Sequence, residues 1–428
     1  MFQAFPGKCT GRTLFTLSFL TLPFLFTVLG CGGDGEETAG EAAAQPNPEA
    51  PGRGAGPAGG SAQEAPVTLE LEARYPEGFS FLNSIREMPD GTVLAADPLA
   101  EVFLRIGPDL GSSDTIGRAG PGPQEYEQPD GVFSLPGESS LLVDLGKMQL
   151  TEVLPDGTFG DGISMAIPAG EGFPTVLHPR FADDRGGLYD QAGRSRDQGP
   201  PDSAAVIRLD RETGAVDTAG IVWLPEYAPR RTRNRGYLPT LLQPADDWAV
   251  APDGSLAVVR AAGFSIDWHF ADGTSVAGDP HDFQTFPVRQ ADKEAVLTEM
   301  QSSGISMTAA TSRDGSVSRM TMSRGVPGGG DGPGVDEFEW AETLPLFRAG
   351  RSRISPAGEL WVERHMPAGS ETRWELFDRT GAWLGSVVLP PRYQLIGFGR
   401  AEGDRDVVYL TRTDEFELKW LERFRVVR

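Results

Sequence analysis

Cysteine is nearly missing from this chain: 428 residues contain Cys9 and Cys31 alone. Cys9 sits among the first residues, ahead of a long apolar run, so a disulfide framework is excluded and the fold must be held by packing. Histidine is scarce too. His178, His269, His281 and His365 form no HExxH or other close pair, and each reads as a surface or packing residue. There is no Gly-x-Ser-x-Gly elbow and no Walker phosphate loop. Positive charge is in deficit, with 38 Lys and Arg against 61 Asp and Glu and a net charge of −23. Such a chain repels DNA, RNA and anionic headgroups, so nucleic acid is excluded as a partner. The plain alternative for the acidity is solubility.

What is abundant is turn-forming: 54 Gly and 35 Pro accompany only 39% hydrophobic residues. That composition suits many short strands and suits long helices poorly, which favours an all-β fold.

At the N-terminus, Lys8 and Arg12 precede an apolar run from Leu14 to Leu29, with no acidic residue before Asp34. This is the pattern of a secretory signal. It ends in Val28-Leu29-Gly30-Cys31, which resembles the bacterial lipobox. The resemblance implies residues 1–30 as a lipoprotein signal peptide, a lipidated Cys31, and a membrane partner through that anchor. Gly32 in place of Asp implies, by the sorting rule of some double-membrane bacteria, the outer membrane of the cell envelope. One acyl chain binds only marginally, so stable anchoring needs several. An uncleaved helical anchor is the alternative, although the run is short and Pro23 interrupts it.

Residues 32–66 are almost all Gly, Ala, Pro, Glu, Gln and Ser, with no aromatic residue. They cannot build a core, and residues 31–66 read as a lipidated, disordered linker. A flexible chain of that length spans about 30 to 35 Å root-mean-square.

From Val67 onward one pattern recurs: a short apolar strand, a Gly-containing turn, a second apolar strand ending in a charged or polar position, then a third strand. The turns fall at Pro89-Asp90-Gly91, Pro136-Gly137-Glu138, Asp184-Arg185-Gly186, Pro252-Asp253-Gly254, Pro356-Ala357-Gly358 and Glu402-Gly403-Asp404. The sixth repeat ends at its third strand. Val67–Tyr75, with Val67, Leu69 and Leu71 alternating with polar residues, supplies an unassigned strand that closes the ring and hides a sheet edge. The expectation is an all-β, six-bladed β-propeller of four-stranded blades over residues 67–428, closed by its N-terminal strand. One insertion, about 275–346, contains a short helix at Ala291–Gln301 and a Gly-rich run at Gly325–Gly334.

The segment Gly117-Arg118-Ala119-Gly120-Pro121-Gly122-Pro123-Gln124-Glu125-Tyr126, followed by Pro129-Asp130-Gly131, resembles the inter-blade linker of NHL-repeat and related six-bladed β-propellers. The match is motif-specific in the first two blades and a matter of pattern in the rest. No helix follows these glycines, so they do not read as a nucleotide loop. The resemblance implies that linkers and second-to-third-strand turns ring one mouth of a central channel.

Two groups of candidate residues are expected at that mouth. Arg230, Arg231, Arg233 and Arg235, with Tyr237, concentrate positive charge in an acidic chain and suit bidentate capture of a carboxylate, sulfate or phosphate. Their bland reading is a solvated loop pairing with nearby acids. Asp97, Asp144, Asp190, Arg260, Glu363 and Arg412 end or closely follow the second strands and would form a rim. An Asp there can equally close its own turn. Related lactonases of the regucalcin type hold a metal with Asn and carboxylates; residues 67–428 offer only Asn83 and Asn234. The favoured reading is a monomeric, tethered, non-catalytic binding or scaffold module for a small anionic ligand, glycan or envelope protein, with no cofactor. The alternative is a propeller hydrolase or lyase with a divalent metal in the channel.

Overall fold

In the computed structural model the described residues are 14–18, 67–167, 175–192, 202–225, 230–232, 236–238, 240–302, 305–311, 317–324, 334–400 and 406–428. Six four-stranded antiparallel sheets make up the ring. The first blade is Ile85–Glu87, Val93–Asp97, Val102–Ile106 and Ser113–Thr115, in that order from the centre outward. Blades two to five repeat it, with inner strands Pro129–Ser134, Phe181–Ala182, Asp247–Val250 and Arg353–Ile354.

Local chemistry explains the repetition. In four hairpins an Asp accepts hydrogen bonds from both the backbone N–H and the hydroxyl of a Thr two residues on: Asp90 and Thr92, Asp156 and Thr158, Asp272 and Thr274, Asp378 and Thr380. The glycine between or beside them takes a positive φ, as at Gly91 (79°) and Gly273 (87°), which side chains resist. The strands between turns are two-sided and apolar, because each sheet packs against a neighbour on both faces. Six clusters of buried side chains result. Leu94, Phe103, Tyr126 and Phe159 fill one of them between the first two blades.

The sixth blade is Tyr393–Arg400, Asp406–Thr413, Lys419–Val427 and, outermost, Thr68–Phe79. The N-terminal strand therefore closes the ring as the alternating pattern predicts. Its register runs from Thr68 opposite Val427 to Phe79 opposite Lys419. Tyr75 and Phe79 are buried behind it, and the Tyr75 hydroxyl lies 2.7 Å from Ser113 Oγ of the first blade. The sixth predicted turn, at residues 402–404, lies outside the described residues.

Blade four takes Ser275–Ala277 as its outer strand, so the insertion leaves the ring at Gly278. It carries the expected helix, Gln290–Ser302, and a hairpin of Ile305–Thr311 with Val317–Arg324 that the sequence pattern did not reveal. Leu14–Ser18, inside the N-terminal apolar run, pairs antiparallel with Ile305–Thr311. Most of the Gly-rich run, 325–333, lies outside the described residues. Among the described residues no helix is long and apolar enough to cross a membrane.

The insertion straps across one mouth of the ring. On the side of blade five, Asp292 at the start of the helix accepts the Ala368 backbone N–H at 2.7 Å, and Arg364 donates to Gln284 O and Leu346 O, both at 2.8 Å. On the far side, Gln128 before blade two holds the Met322 backbone at both ends, donating to its carbonyl at 2.6 Å and accepting from its N–H at 2.5 Å. Met320 and Met322 pack into the apolar cluster between blades two and three.

Candidate functional site

The inner strands of all six blades enclose a central channel of about 800 Å³. That is the size of a small-molecule pocket rather than of a filled core. Its upper end is covered by the insertion, from which Glu299 and Met322 reach the channel wall. Each inner strand begins just after a linker, so linker-end side chains crowd the mouth.

On one side of the mouth, Asp130 of blade two lies 2.8 Å from His178 Nε2 and 3.4 Å from Asn83 Nδ2. Burial disfavours a charged His178, but the bond to Asp130 and the charges of Asp130 and Asp190 outweigh it and raise its pKa. Asp190 also faces the channel, accepting the backbone N–H groups of His178 and Gln191 at 2.8 and 2.7 Å. Burial pushes its carboxyl up to about 6.

The opposite side is cationic. Arg180 pairs with Asp247 at 2.7 Å and stacks over Trp248. Burial opposes ionisation of Asp247, yet the Arg180 charge and the Ser352 bonds hold it below the usual carboxylate range. Arg351 lies 3.7 Å from Glu299. Arg353 donates to the carbonyls of Gly350 and Ser352 and lies over Phe181, and Lys419 donates to Thr413 Oγ1 at 2.7 Å. Among the described residues no carboxylate comes within 4.0 Å of the Arg353 guanidinium or the Lys419 ammonium. Burial first, and a neighbouring arginine second, pull Arg353 down to about 9 and Lys419 down to about 8. A half-buried cation in that condition gains from an incoming anion.

The residues singled out from sequence fall largely elsewhere. Arg230, Arg231 and Tyr237 belong to a two-stranded hairpin, Arg230–Thr232 with Gly236–Leu238, while Arg233, Asn234 and Arg235 lie outside the described residues. Of the six rim residues only Asp190 lines the channel. Asp97 accepts four backbone N–H groups, from Ser80, Phe81, Leu99 and Ala100, and so ties the incoming linker to its own turn. Asp144 does the same for Glu127, Gln128 and Lys147. In blade four the carboxylate moves to the linker: Asp246 accepts the Ala261 N–H, and Arg260 bonds Asp246 and Asp267. Glu363 lies 3.4 Å from Arg348, and Arg412 lies 3.2 Å from the buried Glu422. The six side chains thus serve separate hydrogen-bond networks.

The Gly-rich linker is likewise structural in its contacts. Glu125 pairs with Arg118 and accepts the Gly122 N–H at 2.7 Å, and a Cβ at Gly120 would run into the Glu125 carboxylate. Tyr126 is buried against Phe103, whose backbone N–H bonds its hydroxyl at 3.2 Å.

A channel metal would need a converging donor set. Asp130 is already bonded through both oxygens, to Asn83 and His178, and among the described residues no group of three or more His, Cys, Asp or Glu is placed to hold an ion. The donor set here does not fit a metal.

No family model and no curated relative matches the chain. Among solved structures it is similar to a gluconolactonase from Xanthomonas campestris, with 12% identity, a TM-score of 0.38, and coverage of 85% of this chain and 96% of that one. It is also similar to regucalcin, a calcium-binding protein from Agrobacterium tumefaciens, at 10% identity, TM-score 0.38, and 85% and 97% coverage. Virginiamycin B lyase from Staphylococcus aureus stands at 10%, 0.35, 84% and 100%. Activities do not transfer across such distances; the six-bladed architecture rests on the strand pairing itself.

Proposed function

We propose that this chain is an exported, lipid-anchored β-propeller, with an NHL-like first linker, that binds a small anionic ligand in its central channel. One observation carries the reading. In a protein of net charge −23, the channel wall holds two half-buried cations, Arg353 and Lys419, with no carboxylate within 4.0 Å among the described residues. Keeping such groups charged costs free energy unless an anion completes them. The Phe181 ring under Arg353, with the Trp248 ring against it, supplies apolar wall for the ligand's remaining surface.

The anchor reading rests on the basic, apolar and Val28-Leu29-Gly30-Cys31 pattern. Cleavage before Cys31 removes Leu14–Ser18 and leaves Ile305–Thr311 as an edge strand. The closing strand starts at Thr68 on the face opposite the strapped mouth and ends at Phe79 beside it. A tether from Cys31 therefore joins the ring at the face opposite the mouth.

The test is a thermal-shift and calorimetric titration of the purified protein with succinate, acetate, sulfate and inorganic phosphate. At a hundredfold excess over Kd, binding stabilises the fold by about 2.7 kcal/mol. Arg353→Ala combined with Lys419→Met abolishes that gain. No stabilisation by any of these anions, or a gain undiminished in the double variant, refutes the reading.

A further inference from the structure

The helix of the insertion brings its own anion to the mouth. Glu299, near its C-terminal end, places Oε2 3.4 Å from Arg348 Nη1 and Oε1 3.7 Å from Arg351 Nη2. Each of its two oxygens thus faces a guanidinium. The carboxylate is 44% exposed, so the pairing is open to solvent rather than sealed in the core. Both distances exceed an ordinary charge-assisted hydrogen bond, and a group free of the helix could approach more closely. The helix itself is fixed at its other end by Asp292 and inside by the buried Leu297.

We infer that Glu299 is a built-in stand-in for the ligand, and that the natural ligand bears a carboxylate which displaces it from Arg348 and Arg351. This rests on the proposal that the channel binds an anion, and it specifies which anion and where. Two features favour a carboxylate over a phosphate. The geometry is that of a planar group with two oxygens facing two forks. Arg348 is also already shared with Glu363, 3.4 Å away and buried, so a phosphate, with more than one negative charge on a single group, is repelled there more than one carboxylate group is. Arg353, two residues along from Arg351, and Lys419 then hold the ligand's deeper polar atoms within the channel.

The experiment compares the full-length wild type with Glu299→Gln and Glu299→Ala by calorimetric titration with succinate and, separately, with inorganic phosphate, at one ionic strength. Removing the internal competitor should tighten succinate binding about three- to fivefold in both variants, the range expected when a partly exposed ion pair no longer has to be broken. Phosphate affinity should change by less. Unchanged succinate affinity in both variants, while the wild type binds succinate, overturns the stand-in role and leaves the anion site standing. An equal gain for phosphate overturns the carboxylate assignment. Absence of any anion binding in all three proteins overturns both. Thermal unfolding of each variant establishes that it is folded; Glu299→Ala serves where Glu299→Gln is not.

Discussion

Deleting residues 67–75 removes most of the outer strand of the sixth blade, and the structure says what else goes with it. The backbone ladder with Glu422–Val427 is lost. So is the Tyr75 ring, 2% exposed and packed against Phe79 at 5.5 Å between centroids, together with its hydroxyl contact to Ser113. Truncating a buried aromatic costs about 3 to 5 kcal/mol. Glu422, buried at 0% exposure, loses the Arg74 guanidinium 2.7 Å away while keeping Arg412 and Tyr393, which adds about 1 kcal/mol. Val67, also in the core, adds about 1.5 kcal/mol. The sum, about 5.5 to 7.5 kcal/mol, approaches the total stability of an ordinary domain. Urea unfolding followed by tryptophan fluorescence measures it, since Trp361 and Trp374 lie in the cluster that Val67 helps to fill. Size-exclusion chromatography reports the second consequence, self-association through the bared edge of Lys419–Val427. A truncated protein within about 1 kcal/mol of the parent, and still monomeric, would refute closure by this strand.

Three further outcomes are expected. Asp97→Ala strands four backbone N–H groups at the entry to the first blade and should cost about 2 to 4 kcal/mol in chemical denaturation; a loss below 0.5 kcal/mol contradicts the linker-tie role. His365 is held neutral by burial and by the Arg348 charge, down to a pKa of about 3. Unfolded, it binds a proton near pH 6.5, so its contribution is full above that pH and is lost as pH falls toward 3. Between those values the stability of wild type relative to His365→Gln should fall by up to about 1.4 kcal/mol per pH unit, and parallel pH profiles would show that the group is not so placed. Cys31→Ser should abolish acylation and release the protein from the membrane fraction; retention would point instead to an uncleaved N-terminal helix.

The fold was readable from sequence because each of its repeating units is local. An Asp–Gly turn, a run of apolar residues, and a strand too short to be a helix all lie within about ten residues of one another. The turn read at Pro89-Asp90-Gly91 does join the first strand of blade one, Ile85–Glu87, to its second, Val93–Asp97. The closing strand was readable for a different reason, since counting strands left one blade short. The channel was not readable. Arg180, Arg351, Arg353 and Lys419 stand 239 residues apart at the extremes and share a wall only because the ring brings blade three beside blades five and six across a common axis. In sequence each is one charged residue near a strand start. The cluster Arg230 to Arg235 drew notice by density, a property that says nothing about burial. His178, read as an ordinary residue, became the partner of Asp130 only through the packing of blade two against blade three.

The pairing of Thr68 with Val427 also sets an order of events in time. The first strand of the domain to leave the ribosome waits for the last one. Closing so long a loop costs only modestly more than closing one half its length, about 0.6 kcal/mol per doubling, so the penalty falls on rate rather than on stability. Until the C-terminal strand arrives, five blades stand beside an unfinished sixth, and a chain cut short by even nine residues lacks the partner on which its N-terminal strand docks. The ring thereby shuts only once both Thr68–Phe79 and Lys419–Val427 have been made.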